Sequence, residues 1–371
     1  MSNIGGMQRV ATELIDELRR RSDLQLYEIV LRSSWSLTHV LVVPFLLATF
    51  VRLRRLVRGD RIDAVLFTSM VTATLTTLMR PMLRRHGVRS LVIVHGLDVT
   101  TPSAFWQRLV RRVFASVDLV LPVSNATAGE CLRRGLDPAN VCVIHNGVDT
   151  RRFPDLPPSD RAREELLAAF AGESDAPLLP EAAFLLASVG RLVRRKGFAW
   201  FIMHVMPRLP EHVHYWIAGE GPEVDAIREA IDRHGLAHRV RTWGKISESR
   251  LQALYRGADL FLMPNVAVPG DIEGFGIVML EAGMNGLPTV AARIEGISEV
   301  IREGENGAFV ESGDAQGFVE AIRRYEMNPT ELASARLRVR RHVETTFGWE
   351  TVADRYMAAC CGDHEQLSDL T

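Results

Sequence analysis

Short aliphatic and β-branched runs recur along this chain, each closed by Gly, Pro, Asn or Asp, and between them apolar residues return every three or four positions. The first pattern is that of a strand buried on both faces; the second is that of an amphipathic helix. In the first half it predicts strands at residues 25–31, 64–68, 91–95, 119–123 and 141–145, after an opening helix that runs to about residue 21. Later it predicts strands at 183–189, 215–218, 240–244, 260–263 and 289–292, helices opening near 277 and 296, a turn at 304–307, and closing helices at 315–325, 329–345 and 349–359. Strands alternating with helices build a parallel sheet covered on both faces. Ligands then bind at the C-terminal ends of the strands.

Length and composition turn this pattern into two domains. At 371 residues the chain is too long for one ordinary core. It divides into residues 1–150, a Pro- and Ala-rich linker at 151–181 with a short helix at 160–171, a second domain at 182–345, and a final helical segment at 346–371. With 47% hydrophobic and 24% charged residues it is neither disordered nor fibrous. The net charge of −1 hides an asymmetry, because residues 1–150 hold 19 Arg and no Lys against 12 acidic residues. That half suits an anionic surface or acceptor. No nucleic-acid partner is implied. Cys131, Cys142, Cys360 and Cys361 show no metal-ligand or redox spacing, as in a reduced cytoplasmic protein. The first residues are polar and do not form a secretory signal. The most apolar run, 40–51, is interrupted by Pro44 and followed by Arg52, Arg54, Arg55 and Arg58. It falls short of the roughly 20 residues that span a bilayer. It reads either as a helix lying on an anionic membrane surface or as a core-facing helix with a solvated basic end.

The candidate chemistry centres on Gly270-Asp-Ile-Glu-Gly-Phe-Gly-Ile-Val-Met-Leu-Glu281. Glu273 stands in a glycine-bearing turn, and Glu281 lies a few residues into a helix whose run from Ile277 to Leu280 has no polar face. A carboxylate enclosed in that way needs partners. Gly274, Phe275 and Gly276 add backbone amides to a helix start, which attracts an anion. A ligand with phosphates at one end and hydroxyls at the other, such as a nucleotide sugar, suits the stretch. The bland reading is two glutamates solvated or salt-bridged near a helix start. Lys196, in Gly190-Arg191-Leu-Val-Arg-Arg-Lys196-Gly197, is one of only two lysines beside 42 arginines; the loop reads as a diphosphate clamp or as a solvated basic loop. His95 precedes Gly96 at a strand end, where it either touches substrate or is satisfied by packing. Gly5-Gly6 opens the first helix with amides able to approach a phosphate. No metal-ligand cluster is visible.

Several of these words, in this order, resemble the retaining glycosyltransferases of family 4, which have the two-domain GT-B fold. They are Gly5-Gly6-x-x-Arg9, Val123-Ser124, Asn146-Gly147-Val148-Asp149, Gly190-Arg191 with Lys196-Gly197, Ala218-Gly219-Glu220-Gly221-Pro222, and Glu273-x7-Glu281 with Gly-Phe-Gly after the first Glu. The resemblance covers residues 4 to about 359. It implies two Rossmann-like doubly wound domains facing a cleft, with a final helix crossing back to the first domain. It also implies that Glu281 holds the ribose diol, Arg191 and Lys196 the diphosphate, and Glu273 with the Phe275 and Gly276 amides the sugar. His95 approaches that sugar, and Gly5 and Gly6 approach the phosphates. A hexosyl group would pass from a UDP- or GDP-sugar to a glycan or lipid-linked acceptor hydroxyl, with retention, without a metal or other cofactor, at the cytoplasmic face of a membrane. Two alternatives remain: a nucleotide-sugar epimerase of the same architecture, which forms product without acceptor, and a non-catalytic or truncated homologue. The second arises because only three residues precede Ile4, too few for the first strand of the sheet. The expectation is that the recorded chain starts downstream of the true one or that this domain is impaired.

Overall fold

A computed structural model describes residues 6–31, 35–59, 62–172 and 179–363. The chain forms two compact units, one of residues 1–147 with 349–371 and the other of residues 148–348.

The first unit is built on three parallel strands, β1 (Ala64–Phe67), β2 (Arg89–Val94) and β3 (Leu119–Pro122), which lie in that order. Leu91 to Val94 are wholly buried because helices cover both faces of β2. The strand expected at 141–145 is reduced to one bridge, Val120 to Val141. Cys142 N–H donates to Val120 O and Ile144 N–H to Pro122 O, both at 3.0 Å. The answering bond would come from residue 122, and proline has no N–H to give. The strand expected at 25–31 is also absent. Val30 is 47% exposed there and Glu28 is held by Arg19, so the β-branched composition finds no ladder to join.

The helix Trp35–Gly59 contains the apolar run with Pro44 inside it. Leu53 and Val57 face the core, whereas Val40 (72% exposed), Val43 (61%), Leu47 (65%) and Val51 (47%) form a stripe that faces outward. Leu46 and Phe50 pack against the same core as Leu53 and Val57, so one face of the helix is core-facing from Leu46 onward while the other carries the exposed stripe. No helix among the described residues is long and apolar enough to cross a membrane. The helix Trp349–Cys361 packs in this same unit. Its buried Trp349 donates from Nε1 to Glu13 at 2.7 Å, and a Cβ on Gly147 would lie 2.6 Å from the indole.

The second unit carries six parallel strands: β4 (Phe184–Val189), β5 (Val213–Ala218), β6 (Val240–Thr242), β7 (Leu260–Met263), β8 (Thr289–Arg293) and β9 (Gly307–Glu311). Their order is β6-β5-β4-β7-β8-β9. The chain thus builds outward from β4 to β6, returns to the other side of β4, and builds outward again. That is the doubly wound order of dinucleotide-binding sheets, and its reversal lies between β4 and β7. The core between sheet and helices holds Leu186, Phe201, Tyr215, Leu262 and Phe318. β9 was not anticipated, since its apolar stretch after Gly307 is only three residues long. The helix expected from residue 296 is instead a 3-10 turn, Glu295–Glu299.

Candidate functional site

Loops leaving β4, β5 and β7 converge at the reversal point, and glycines let their backbones touch. Gly197 has φ +68°, and a Cβ there would lie 1.9 Å from Pro264 O. Gly219 has φ +147°, and its Cβ would lie 1.8 Å from Gly190 O. Side chains at either position would push the loops apart.

The loop after β4 closes in a 3-10 turn, Arg194–Lys196, which buries Arg195 and Lys196 and leaves Arg191 and Arg194 outside. Lys196 Nζ stands 2.6 Å from Glu273 Oε2, and Arg195 Nη1 donates to the same oxygen. Asn265, just beyond β7, donates its amide to that oxygen at 3.1 Å, and Arg195 Nε reaches Asp271 at 3.0 Å. Glu273 and the three groups that meet its Oε2 are thus enclosed: Lys196 is 4% exposed, Arg195 and Glu273 8%, and Asn265 2%. Burial works to raise the Glu273 carboxyl, but Lys196 and Arg195 outweigh it and hold the pKa below the ordinary range. Burial lowers the Lys196 ammonium, against the pull of Glu273 and with the repulsion of Arg195 and Arg191. Asn265 Oδ1 is buried without a hydrogen-bond partner among the described residues.

Glu281 lies in the helix Ile277–Met284, is 3% exposed, and accepts from the Tyr255 hydroxyl at 3.1 Å. Gly276 begins that helix at φ +85°. The Phe275 ring is buried against Phe347, with centroids 5.9 Å apart, so Phe275 offers the site its backbone. Gly274 lies against the loop after β8, where Gly296 N–H donates to Glu273 O at 3.2 Å.

In the first unit, His95 follows β2, and its Nε2 faces Thr68 O at 3.4 Å. Burial drives its pKa down to about 4, so the ring is neutral near pH 7. Its backbone N–H donates to Asp98 at 3.1 Å, and burial lifts that carboxyl to about 7. Gly6 is the first residue of the helix Gly6–Leu18, and Gly5 lies outside the described residues.

The structure therefore gathers Lys196, Glu273 and the Gly274–Gly276 backbone of the expected set into one neighbourhood and leaves Arg191 exposed at its edge. Arg195, Asn265, Asp271 and Tyr255 were not singled out from the sequence. For Arg195 the only signal was its place beside Lys196; one turn of helix phase decides which arginine points inward.

Two parallel-sheet units with helices between the strands, the second doubly wound with a buried cation–carboxylate cluster at its reversal point, have the architecture of a GT-B protein. The chain belongs to glycosyltransferase family 4. The family model described as Glycosyltransferase Family 4 matches residues 4–152, and that described as Glycosyl transferases group 1 matches residues 183–328. The chain is similar to the putative colanic acid biosynthesis glycosyltransferase WcaL of Escherichia coli, 28% identical over 73% of this chain and 64% of that protein. It is also similar to a GDP-mannose-dependent α-(1-6)-phosphatidylinositol monomannoside mannosyltransferase of Mycolicibacterium smegmatis, 29% identical over 85% of this chain and 80% of that protein. The chain thus spans just under two thirds of the first relative and four fifths of the second. Among solved structures, Alr3699/HepE of Anabaena in complex with UDP-glucose superposes with a TM-score of 0.72 at 19% identity, over 97% of this chain and 96% of that one.

Proposed function

We propose that this chain moves a hexosyl group from a UDP- or GDP-sugar to a hydroxyl of a glycan or lipid-linked acceptor, with retention and with cationic side chains neutralising the diphosphate. The observation that carries this reading is the buried Lys196–Arg195–Glu273 cluster at the reversal of a 3-2-1-4-5-6 sheet. An ammonium has three donors, and Glu273 takes one, which leaves two for phosphate oxygens. Arg191, exposed beside it, supplies the second cation. As the bond from the anomeric carbon to the diphosphate breaks, negative charge grows on the leaving phosphate, and these fixed cations stabilise it more than they stabilise the intact donor. The departing phosphate takes the proton of the acceptor hydroxyl as that oxygen bonds to the anomeric carbon. Glu281 accepts from the ribose diol. Glu273, with the Gly274, Phe275 and Gly276 amides, orients the sugar.

The test is donor turnover by the parent, Lys196→Ala and Glu281→Ala, each shown to be folded by thermal melting. Variants as fast as the parent sink the site assignment, and sugar conversion without acceptor makes the chain an epimerase. Inversion at the anomeric carbon in the product NMR spectrum removes retention, and loss of activity in EDTA removes metal independence. The exposed stripe Val40–Val43–Leu47–Val51, followed by Arg52, Arg54 and Arg55, supports contact with an anionic membrane surface. Co-sedimentation with anionic vesicles should weaken with salt; indifference to them removes this part of the reading.

A further inference from the structure

Glu295 is the one non-glycine residue among those described with a positive φ, +49°. A side chain disfavours that conformation, because its Cβ crowds the following carbonyl. A glycine would take it freely, yet the position holds a carboxylate. It follows β8 and Ile294 and opens the turn Glu295–Glu299.

What that carboxylate does is visible in its partner. Glu295 Oε2 accepts the backbone N–H of Glu273, and the Gly296 N–H returns a bond to Glu273 O at 3.2 Å. A Cβ on Gly296 would lie 2.2 Å from Gly274 O. The turn after β8 is therefore clasped to the Glu273–Gly274 turn from both sides, and the clasp fixes the backbone that carries the Glu273 side chain to Lys196 and Arg195. Arg195 and Asp271 also act on Glu295 electrostatically, so it belongs to the same charged neighbourhood.

We propose that Glu295 is a positioning residue for the donor sugar: its carboxylate, held in a strained turn, sets the direction of Glu273 and of the amides that follow it. This rests on the donor-site reading above. A strained residue kept at a site by its surroundings is the usual form of such pre-organisation. Glu295 touches the backbone of the sugar-orienting residue, so its loss should act on the reacting end of the donor. The diphosphate end, held by Arg191 and Lys196, should be indifferent to it.

The experiment compares the full chain with Glu295→Gly and Glu295→Gln. Calorimetric titration with UDP and GDP reads the diphosphate end, steady-state kinetics with a panel of UDP- and GDP-sugars reads the sugar end, and thermal melting reads stability. Glu295→Gly relieves the φ strain and should melt no lower than the parent, with nucleoside diphosphate affinity unchanged. Its kcat should fall about tenfold, the usual scale for losing a charge-assisted hydrogen bond. Glu295→Gln keeps an oxygen for the Glu273 N–H and should recover most of that loss. Unchanged kcat in Glu295→Gly overturns the proposal, and so does a Glu295→Gly variant that loses stability and nucleotide affinity together, which marks a merely structural role. A parent that binds neither UDP nor GDP overturns the donor-site reading itself, and this proposal with it.

Discussion

Replacing Glu273 by Gln tests the buried cluster most directly. The change keeps the shape of the side chain and removes its charge, so Lys196 and Arg195 lose the anion that compensates them while they remain 4% and 8% exposed. At the 2.6 Å separation of Lys196 Nζ and Glu273 Oε2, the attraction is about 6 kcal/mol at an effective dielectric near 20. Removing two ions from water costs about as much, so the intact cluster adds little net stability. Breaking it is different. An unpaired buried charge costs about 3–5 kcal/mol, which for a unit of this size lowers its melting transition by about 10 °C. The sign with pH follows from the depressed carboxyl pKa. The contribution of Glu273 is complete above its ordinary value of 4.5 and is lost as pH falls through the lowered one. The gap between parent and variant should therefore close in acid. Differential scanning calorimetry of the parent, Glu273→Gln, Lys196→Met and the double variant reads all of this. The double variant should lose less stability than the sum of the single losses by about 2 kcal/mol or more, because it leaves no unpaired ammonium. Additive losses, or a Glu273→Gln melt within 2 °C of the parent by the same ~3 kcal/mol reasoning, would refute the argument.

Three other outcomes follow from single contacts. Gly197→Ala places a Cβ where Pro264 O stands, 1.9 Å away, so the loops after β4 and β7 must separate; a stability loss of about 3 kcal/mol and weaker nucleoside diphosphate binding are expected by denaturant titration and calorimetry. His95 should titrate by NMR near pH 4, not near 6.5. Because its folded pKa lies below its unfolded one, it contributes a loss of stability as pH falls from 6.5 toward 4, and His95→Asn should remove that component of the pH profile. Trp349→Ala empties a site that is 1% exposed and strips Glu13 of its indole donor, which should cost about 3–5 kcal/mol in the first unit, read as a lower urea midpoint for near-ultraviolet circular dichroism.

Much of the fold was legible because buried parallel strands declare themselves as apolar runs. β4, β5, β7 and β8 lie in such runs, and so do the three strands of the first unit. The misses share one cause. Residues 25–31 have strand composition but no neighbouring ladder, residues 141–145 lie beside a proline that cannot return the bond, and β9 is a strand only because β8 is there to receive it. Pairing is a property of two segments, and composition reports on one. The site divides in the same way. Lys196 and Glu273 stood out by rarity and by spacing, but the structure seats Arg195 against Glu273 and leaves Arg191 outside, a choice made by the phase of a single 3-10 turn. Asn265, Tyr255 and Glu295 carry no local signal at all, since each matters only for what lies opposite it.

The order of residues alone therefore settled that this chain forms two parallel-sheet units with helices between the strands, because hydrophobic period and turn chemistry are local and survive without knowledge of the partner. It also settled that a carboxylate stands ahead of an apolar helix and that a lone lysine follows β4. Which cation meets that carboxylate, and which backbone is clasped beneath it, was decided only when β4, β7 and β8 came side by side. Charge compensation and steric fit act across space over a few ångströms, between residues as far apart in the chain as Lys196 and Glu295.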